Sequence, residues 1–326
     1  MKSTIPRISR RHVVQGLGAA LLPLPHAFAL AADYPAKPIE LVVPASAGGG
    51  TDALARGFAE VIKKYLPQPM VVNDKPGASG VIGMTDVLNA RPDGYKVGMI
   101  IAELVILPHL GLAKFTYEGF APVARLNGDP SAITVRADAP WNTIEEFLAA
   151  AKAKPGTVTL GNSGNGSIWH LAAVGLEDKV GVKFNHVPFQ GAAPGVVALL
   201  GGQIDAVAVS PGEVATHVQA GKMKMLAVMA DQRVPAFDKV PTLKERGIDL
   251  SIGTWRGLAL PKGTPPEVVN VLREATRKAA QDPALRETLD KLILGFAYLD
   301  APEFGQAMAR DHAYFKQIVA KVGIKP

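Results

Sequence analysis

Three junctions carry the residue types that could do chemistry. The first is Val43-Pro44-Ala45-Ser46-Ala47-Gly48-Gly49-Gly50-Thr51-Asp52. The second is Leu160-Gly161-Asn162-Ser163-Gly164-Asn165-Gly166-Ser167, and the third is Val187-Pro188-Phe189-Gln190-Gly191-Ala192-Ala193-Pro194. Each follows an apolar run that reads as a strand and leads into a helical pattern. A helix N-terminus offers unpaired N–H groups and the positive end of a dipole. Glycines let the backbone approach a ligand closely. In physical terms these are anion sites. No Lys or Arg lies within residues 44–52 or 161–167, and the Gly-Lys-Ser/Thr of a P-loop is missing. Neither glycine cluster fits a dinucleotide fingerprint. Backbone dipoles without a cation suit a carboxylate that is held and released.

Catalytic readings find less support. Gly161-Asn162-Ser163-Gly164-Asn165 is close to a nucleophile elbow, but Asn165 stands where Gly is required. Of His109, His170, His186, His217 and His312, no two form a zinc-type pair, so no metal is expected. His170, in the first turns of its helix, reads as a cleft-wall or capping residue. Trp255 reads as hinge packing, with ligand stacking as the alternative, and the charged stretch 267–278 as a solvated helix face.

The elements that position these groups alternate. Strands are predicted at 39–43, 70–73, 96–101, 157–160, 183–187, 204–209, 223–228 and 257–260. Residues 52–66 place Leu54, Phe58, Val61, Ile62 and Tyr65 on one helical face. Thr264-Pro265-Pro266-Glu267 predicts a capping box for a helix to about Gln281, and Ser210-Pro211-Gly212-Glu213 another for a helix to about Gly221. The alternation predicts an α/β chain with mainly parallel sheets and helices on both faces. Segments 120–136 and 251–260 read as crossings between two domains. They predict a discontinuous first lobe (32–130 and 253–326), an inserted second lobe (131–252), and a hinged cleft between them.

Composition sets outer limits. The chain has 326 residues, 48% hydrophobic and 20% charged, as globular chains do. It has no cysteine, which excludes disulfides and thiolate chemistry. Its 6% aromatics argue against stacking platforms for nucleic acid. Lys2, Arg7, Arg10 and Arg11 precede an apolar stretch to Ala31 that ends Ala29-Leu30-Ala31, the pattern of an export signal cleaved near Ala31. Ser9-Arg10-Arg11-His12-Val13-Val14 resembles a twin-arginine signal, with an ordinary secretory leader as the alternative. Removing those four positive charges lowers the formal charge from +6 to +2, so the basic balance is no nucleic-acid footprint.

An ordered set of motifs runs through the rest of the chain. It includes Asn73…Pro76-Gly77-Ala78-Ser79-Gly80, Pro92-Asp93-Gly94-Tyr95, Val187-Pro188-Phe189-Gln190-Gly191, Leu200-Gly201-Gly202-Gln203-Ile204-Asp205 and Trp255…Gly257. With the glycine junctions, this set resembles the substrate-binding proteins of tripartite tricarboxylate transporters, the Bug receptors. The resemblance implies a type II periplasmic binding protein fold, in which two α/β lobes joined by two hinge strands close on a small carboxylate: a dicarboxylate, an amino acid or an aromatic acid. It implies a periplasmic monomer without a cofactor, with membrane permease subunits as partners. It places first-lobe contacts at Ala47, Gly48, Gly49 and Asp52. Second-lobe contacts fall at Asn162, Ser163, Gly166, Ser167, His170, Gln190, Gly191 and Asp205. Asp52 could instead cap its helix, and Asp205 could hold water near the cleft or only end its strand. Ile101-Ala102-Glu103-Leu104 departs from the small polar residues usual there. A cleft-facing Glu103 would disfavour a second ligand carboxylate, and Arg256 could clamp a distal one. The alternatives are a receptor that feeds a signalling system and an exported hydrolase using Ser163.

Overall fold

The computed structural model describes residues 34–322, so the export signal lies outside the described residues. The first strand, β1 (Ile39–Val43), leads through the first glycine junction into α1 (Gly50–Ile62). Leu54, Phe58, Val61 and Ile62 are buried, as their spacing requires. The helix stops short of residue 66 because Leu66 precedes Pro67, which disfavours helical geometry before it. There follow β2 (Met70–Asp74), α2 (Val81–Leu88) and β3 (Lys96–Ile101). The long strand β4 occupies Phe120–Arg136, the predicted first crossing. Beyond it lie α3 (Ile144–Ala153), β5 (Thr159–Asn162), α4 (Ile168–Val180), β6 (Asn185–Pro188), α5 (Ala192–Leu200), β7 (Ala206–Val209), α6 (Pro211–Gln219) and β8 (Met223–Met229). The chain returns through β9 (Gly253–Pro261) to α7 (Pro266–Gln281), α8 (Pro283–Leu292), β10 (Phe296–Asp300) and α9 (Ala301–Val322).

The strand order is β2-β1-β3-β9-β4-β7-β5-β6, with β8 and β10 also paired to β4. Pairings among β1, β2 and β3, and among β5, β6 and β7, are parallel. Those of β9 with β3, and of β4 with β7, β8, β9 and β10, are antiparallel. The sheet is therefore mixed, not mainly parallel. The crossing strands run against both parallel groups, which sequence alternation alone does not show.

β4 changes partners midway. Residues 120–130 pair with β9, and residues 131–136 with β7 and β8. Pro130 stands opposite Gly253 at the exchange, where a Cβ on residue 253 would sit 2.1 Å from the Asp129 carbonyl oxygen. Only glycine fits that approach. Separate apolar clusters flank the exchange. Leu41, Phe58, Met99, Leu258, Leu272 and Leu289 belong to one. Ile133, Phe147, Leu160, Leu176 and Leu226 belong to another. A further cluster bridges them through Leu104, Trp169, Val209, Trp255 and Phe304. Two α/β lobes with their own cores, joined through β4 and β9, follow from this arrangement.

Two local predictions need correction. β5 lies two residues later than predicted, because Thr157 is held in a turn by Oγ1 donation to the Lys154 carbonyl at 2.7 Å. The capping box at Thr264 is not formed. Thr264 Oγ1 donates to the Pro261 carbonyl at 2.8 Å, and Pro265 occupies the cap position. The box at Ser210 does form, with Glu213 Oε2 accepting from Ser210 N at 2.9 Å and Oγ at 3.0 Å.

Candidate functional site

The glycine junctions follow β1, β5 and β6, at the carboxyl ends where open α/β sheets place ligands. Each is organised by its own side chains. In the first, Asp52 Oδ2 accepts Gly48 N–H at 2.8 Å while Oδ1 lies 2.6 Å from Arg56 Nε. Asp52 thus holds the loop. In the second, Asn162 Oδ1 accepts Gly164 N–H at 2.9 Å and His170 Nδ1 accepts Gly166 N–H at 3.0 Å. Ser167 caps α4 by accepting His170 N–H at 3.2 Å. Burial, then the nearby His186 ring, pushes the His170 pKa down to about 4, which keeps the ring neutral and able to accept. In the third, Gly191 is the cap residue of α5 at φ 106°.

Hydrogen bonds tie these loops together across the cleft. Ser46 Oγ donates to the Gln190 carbonyl, and Ser79 Oγ to the Asn165 carbonyl at 2.8 Å. Deeper in, Ile168 N–H at the start of α4 donates to Glu103 Oε1 at 3.0 Å, and Gly50 N–H at the start of α1 donates to Glu213 Oε1 at 3.3 Å.

These contacts border one cavity between the loops. Of the residues expected at the site, Gly49, Ser163, Gln190, Gly191, Glu103 and Arg256 line it. Ala47, Gly48, Asp52, Asn162, Gly166, Ser167 and His170 belong to the same junctions but do not line it. Asp205 stands apart. It ties β7 to β5 by accepting Thr159 N–H at 2.8 Å and Thr159 O–H at 2.7 Å. Sequence reasoning missed Ser46, Gly50, Thr51, Ser79, Trp169, Glu213 and Thr254, which also line the cavity. Ser79 sits inside the quoted Pro76-Gly77-Ala78-Ser79-Gly80 motif, and Glu213 inside the Ser210 capping box. Both signals were present but were read only locally.

The cavity floor is charged. Arg256, 2% exposed, donates from Nη1 to Asp129 Oδ2 and Asn127 Oδ1, both at 2.6 Å, and from Nε to Thr51 Oγ1 at 2.9 Å. Its Nη2 lies 3.7 Å from Glu213 Oε1. Arg256 is thereby committed to the hinge strands. A Cβ on Gly50 would come within 3.0 Å of Arg256 Nη2 and 3.2 Å of Glu213 Oε1, so a larger residue at this helix start would crowd both groups. Burial raises the Glu213 pKa, and Arg256 opposes the rise. Burial pushes Glu103 up to about 6 against the Ile168 amide, which favours the anion. Trp255 packs edge-on to Phe304 with ring centroids 5.2 Å apart, and its Nε1–H donates to Asp311 Oδ2 at 2.7 Å. It serves the hinge. Among the described residues no cluster of His, Asp and Glu could hold a metal ion, and no helix is long and apolar enough to cross a membrane.

Comparison with known proteins bears on the whole chain. Residues 54–324 match the family model described as the tripartite tricarboxylate transporter family receptor. A Cupriavidus necator protein, named for its place in the gbd 5′ region, is 36% identical over 94% of this chain and 93% of its own. A TctC solute-binding protein from Polaromonas, solved with no ligand, is 59% identical over 88% of this chain and 99% of its own, with a TM-score of 0.66. The periplasmic binding protein BugD is 31% identical over 90% and 99%, with a TM-score of 0.86. MatC from Rhodopseudomonas palustris, solved with bound malate, is 27% identical over 88% and 100%, with a TM-score of 0.81. The chain belongs to the tripartite tricarboxylate transporter receptor family, the TctC or Bug family of periplasmic solute-binding proteins.

Proposed function

We propose that this protein captures a small carboxylate between its lobes and delivers it to the membrane permease of a tripartite tricarboxylate transporter. The observation that carries the reading is the convergence of the three cation-free glycine junctions on one cavity. Closure packs the first-lobe loop and the second-lobe junctions around the ligand and excludes water, which strengthens its charge–dipole contact with a free helix N-terminus. Malate in MatC is a precedent for a carboxylate in a related cleft. Membership of a receptor family supports reading the cavity as a binding site.

Hinged closure has its own support. The 59% identical, ligand-free Polaromonas protein superimposes less well than BugD does at 31% identity. Divergence alone would give the opposite order. A rigid-body rotation between lobes lowers a whole-chain superposition while leaving each lobe intact. The lobes are taken as 32–130 with 253–326, and 131–252, with β4 and β9 as the hinge. Residues 1–31 are read as the export signal that delivers the chain, as a monomer, to the periplasm.

The test is native mass spectrometry and thermal shift of the mature protein against a carboxylate panel. One-to-one retention without turnover, with a rise in apparent stability of about 2.7 kcal/mol at one hundred times Kd, is expected. Absence of binding by any carboxylate overturns the reading.

A further inference from the structure

Three helix N-termini face the cavity, yet two already hold an anion. α1 carries Glu213 on Gly50 N–H, and α4 carries Glu103 on Ile168 N–H. Each carboxylate comes from the lobe opposite to the helix it caps. At α5, whose cap residue Gly191 and first residue Ala192 line the cavity, no carboxylate is hydrogen-bonded to the first turn among the described residues. One terminus therefore remains to receive a ligand carboxylate.

The side-chain charges point the same way. Glu103 and Glu213 both line the cavity with their side chains almost completely buried. The single cavity cation, Arg256, is spent on Asp129, Asn127 and Thr51. Glu213 is held by Ser210 and by Arg256 at 3.7 Å, whereas Glu103 has no cation within ion-pair distance among the described residues. A second ligand carboxylate would meet Glu103 with no cation at ion-pair distance to neutralise either group. An ammonium there would gain an ion pair in a water-poor site. Ile101, Ile168 and Trp169 also line the cavity, so the segment joining the two ends of such a ligand meets hydrocarbon.

We propose that Glu103 selects the charge of the ligand: the site takes a monocarboxylate whose far end is an ammonium group and rejects dicarboxylates. The proposal rests on the carboxylate-binding reading and sharpens it. It makes Glu103 a specificity residue that touches the ligand, with the α5 N-terminus as the carboxylate receiver.

The experiment titrates the mature protein with three matched series, each carrying one to five carbons between its ends. The series are aminocarboxylates, dicarboxylates and unbranched alkanoates, followed by calorimetry. At least one aminocarboxylate is expected to bind about tenfold or more tightly than the dicarboxylate and alkanoate of equal length. Glu103→Gln is expected to abolish that preference by weakening the aminocarboxylate and strengthening the dicarboxylate. The wild-type arm needs no variant, so a folding defect in Glu103→Gln leaves the test intact. A dicarboxylate or alkanoate that matches the best aminocarboxylate overturns the charge selection and leaves carboxylate capture standing. A preference that survives in folded Glu103→Gln overturns the role of Glu103. Binding by none of the three series overturns the charge selection, and carboxylate capture falls with it only if the wider carboxylate panel also fails to bind.

Discussion

The N-termini of α1 and α4 solve one problem in two ways. Each receives a carboxylate from the opposite lobe, Glu213 on Gly50 N–H and Glu103 on Ile168 N–H. At α1 the carboxylate is saturated. Glu213 Oε2 takes Ser210 N–H and O–H, and Oε1 takes Gly50 N–H with Arg256 alongside. At α4 the Ile168 amide, the Glu103 backbone N–H and the more distant Arg256 charge do not offset desolvation, and no cation stands at ion-pair distance among the described residues. A buried anion with a cation and a full set of donors is structural. One held by backbone amides with no cation in contact is costly to keep charged and remains open to a better partner. The difference separates what fixes the hinge from what can read a ligand.

The largest test of this contrast removes the cation. Arg256→Met leaves Asp129 and Glu213 buried without their guanidinium. The expected loss is about 3–5 kcal/mol in urea unfolding, since a buried pair broken on one side strands a charge. An unchanged midpoint would mean that Arg256 is not what holds β4 to β9. Next in size is Glu213→Gln, which removes the charge partner of Arg256 and costs about 1–3 kcal/mol. Glu103→Gln, measured alongside at pH 7, is expected to be neutral or stabilising, because a neutral amide oxygen can still accept Ile168 N–H. Equal losses in both variants would erase the distinction between the two helix ends.

Titration sharpens the same point. The Glu103 pKa rises from an ordinary 4.5 to about 6 because burial disfavours the anion. Between these values the folded protein holds more protons at Glu103 than the unfolded chain does. Stability from this group is therefore present below pH 4.5 and falls as pH rises toward 6. The full change is about 2 kcal/mol. His170 runs the other way. Its pKa, lowered to about 4, makes stability rise with pH through the window up to 6.5. Both wild type and Glu103→Gln contain His170, so the difference between their pH profiles isolates Glu103. A flat difference from pH 4 to 7 would show that Glu103 stays charged at no cost.

Local chemistry was legible in the sequence, and long-range partnership was not. Glycines after apolar runs placed all three junctions at strand ends, and the first crossing strand occupies the predicted residues 120–136. Pattern and turn chemistry act within a few residues, which is why these features are readable. Arg256 looked like a ligand clamp beside Trp255, yet its partners Asp129 and Thr51 lie 127 and 205 residues away. Asp205 looked like a cleft residue, but Thr159, 46 residues earlier, takes its carboxylate. The capping role of Glu213 was visible, whereas its reach to Gly50 spans 163 residues. Cleft-facing side chains are assigned by topology, and a mixed sheet with strands that change partners hides that topology from periodicity.

The smallest expected effect lies at the cleft mouth, where the hydroxyls of Ser46 and Ser79 bridge the lobes. Both bonds are exposed, so each contributes about 0.5–1 kcal/mol at most. They exist only when the lobes are together. Their loss therefore moves the open–closed balance and not the unfolding midpoint. Combining Ser46→Ala with Ser79→Ala should shift that balance by about fivefold for each kcal/mol removed. Small-angle scattering of the ligand-free double variant should then give a larger radius of gyration. Affinity for any carboxylate the wild type binds should fall by a similar factor, because closure must then be driven by the ligand alone. An unchanged radius together with unchanged affinity would leave closure to the deeper pair, Glu103 on α4 and Glu213 on α1, whose bonds lie in the buried floor and not at the rim.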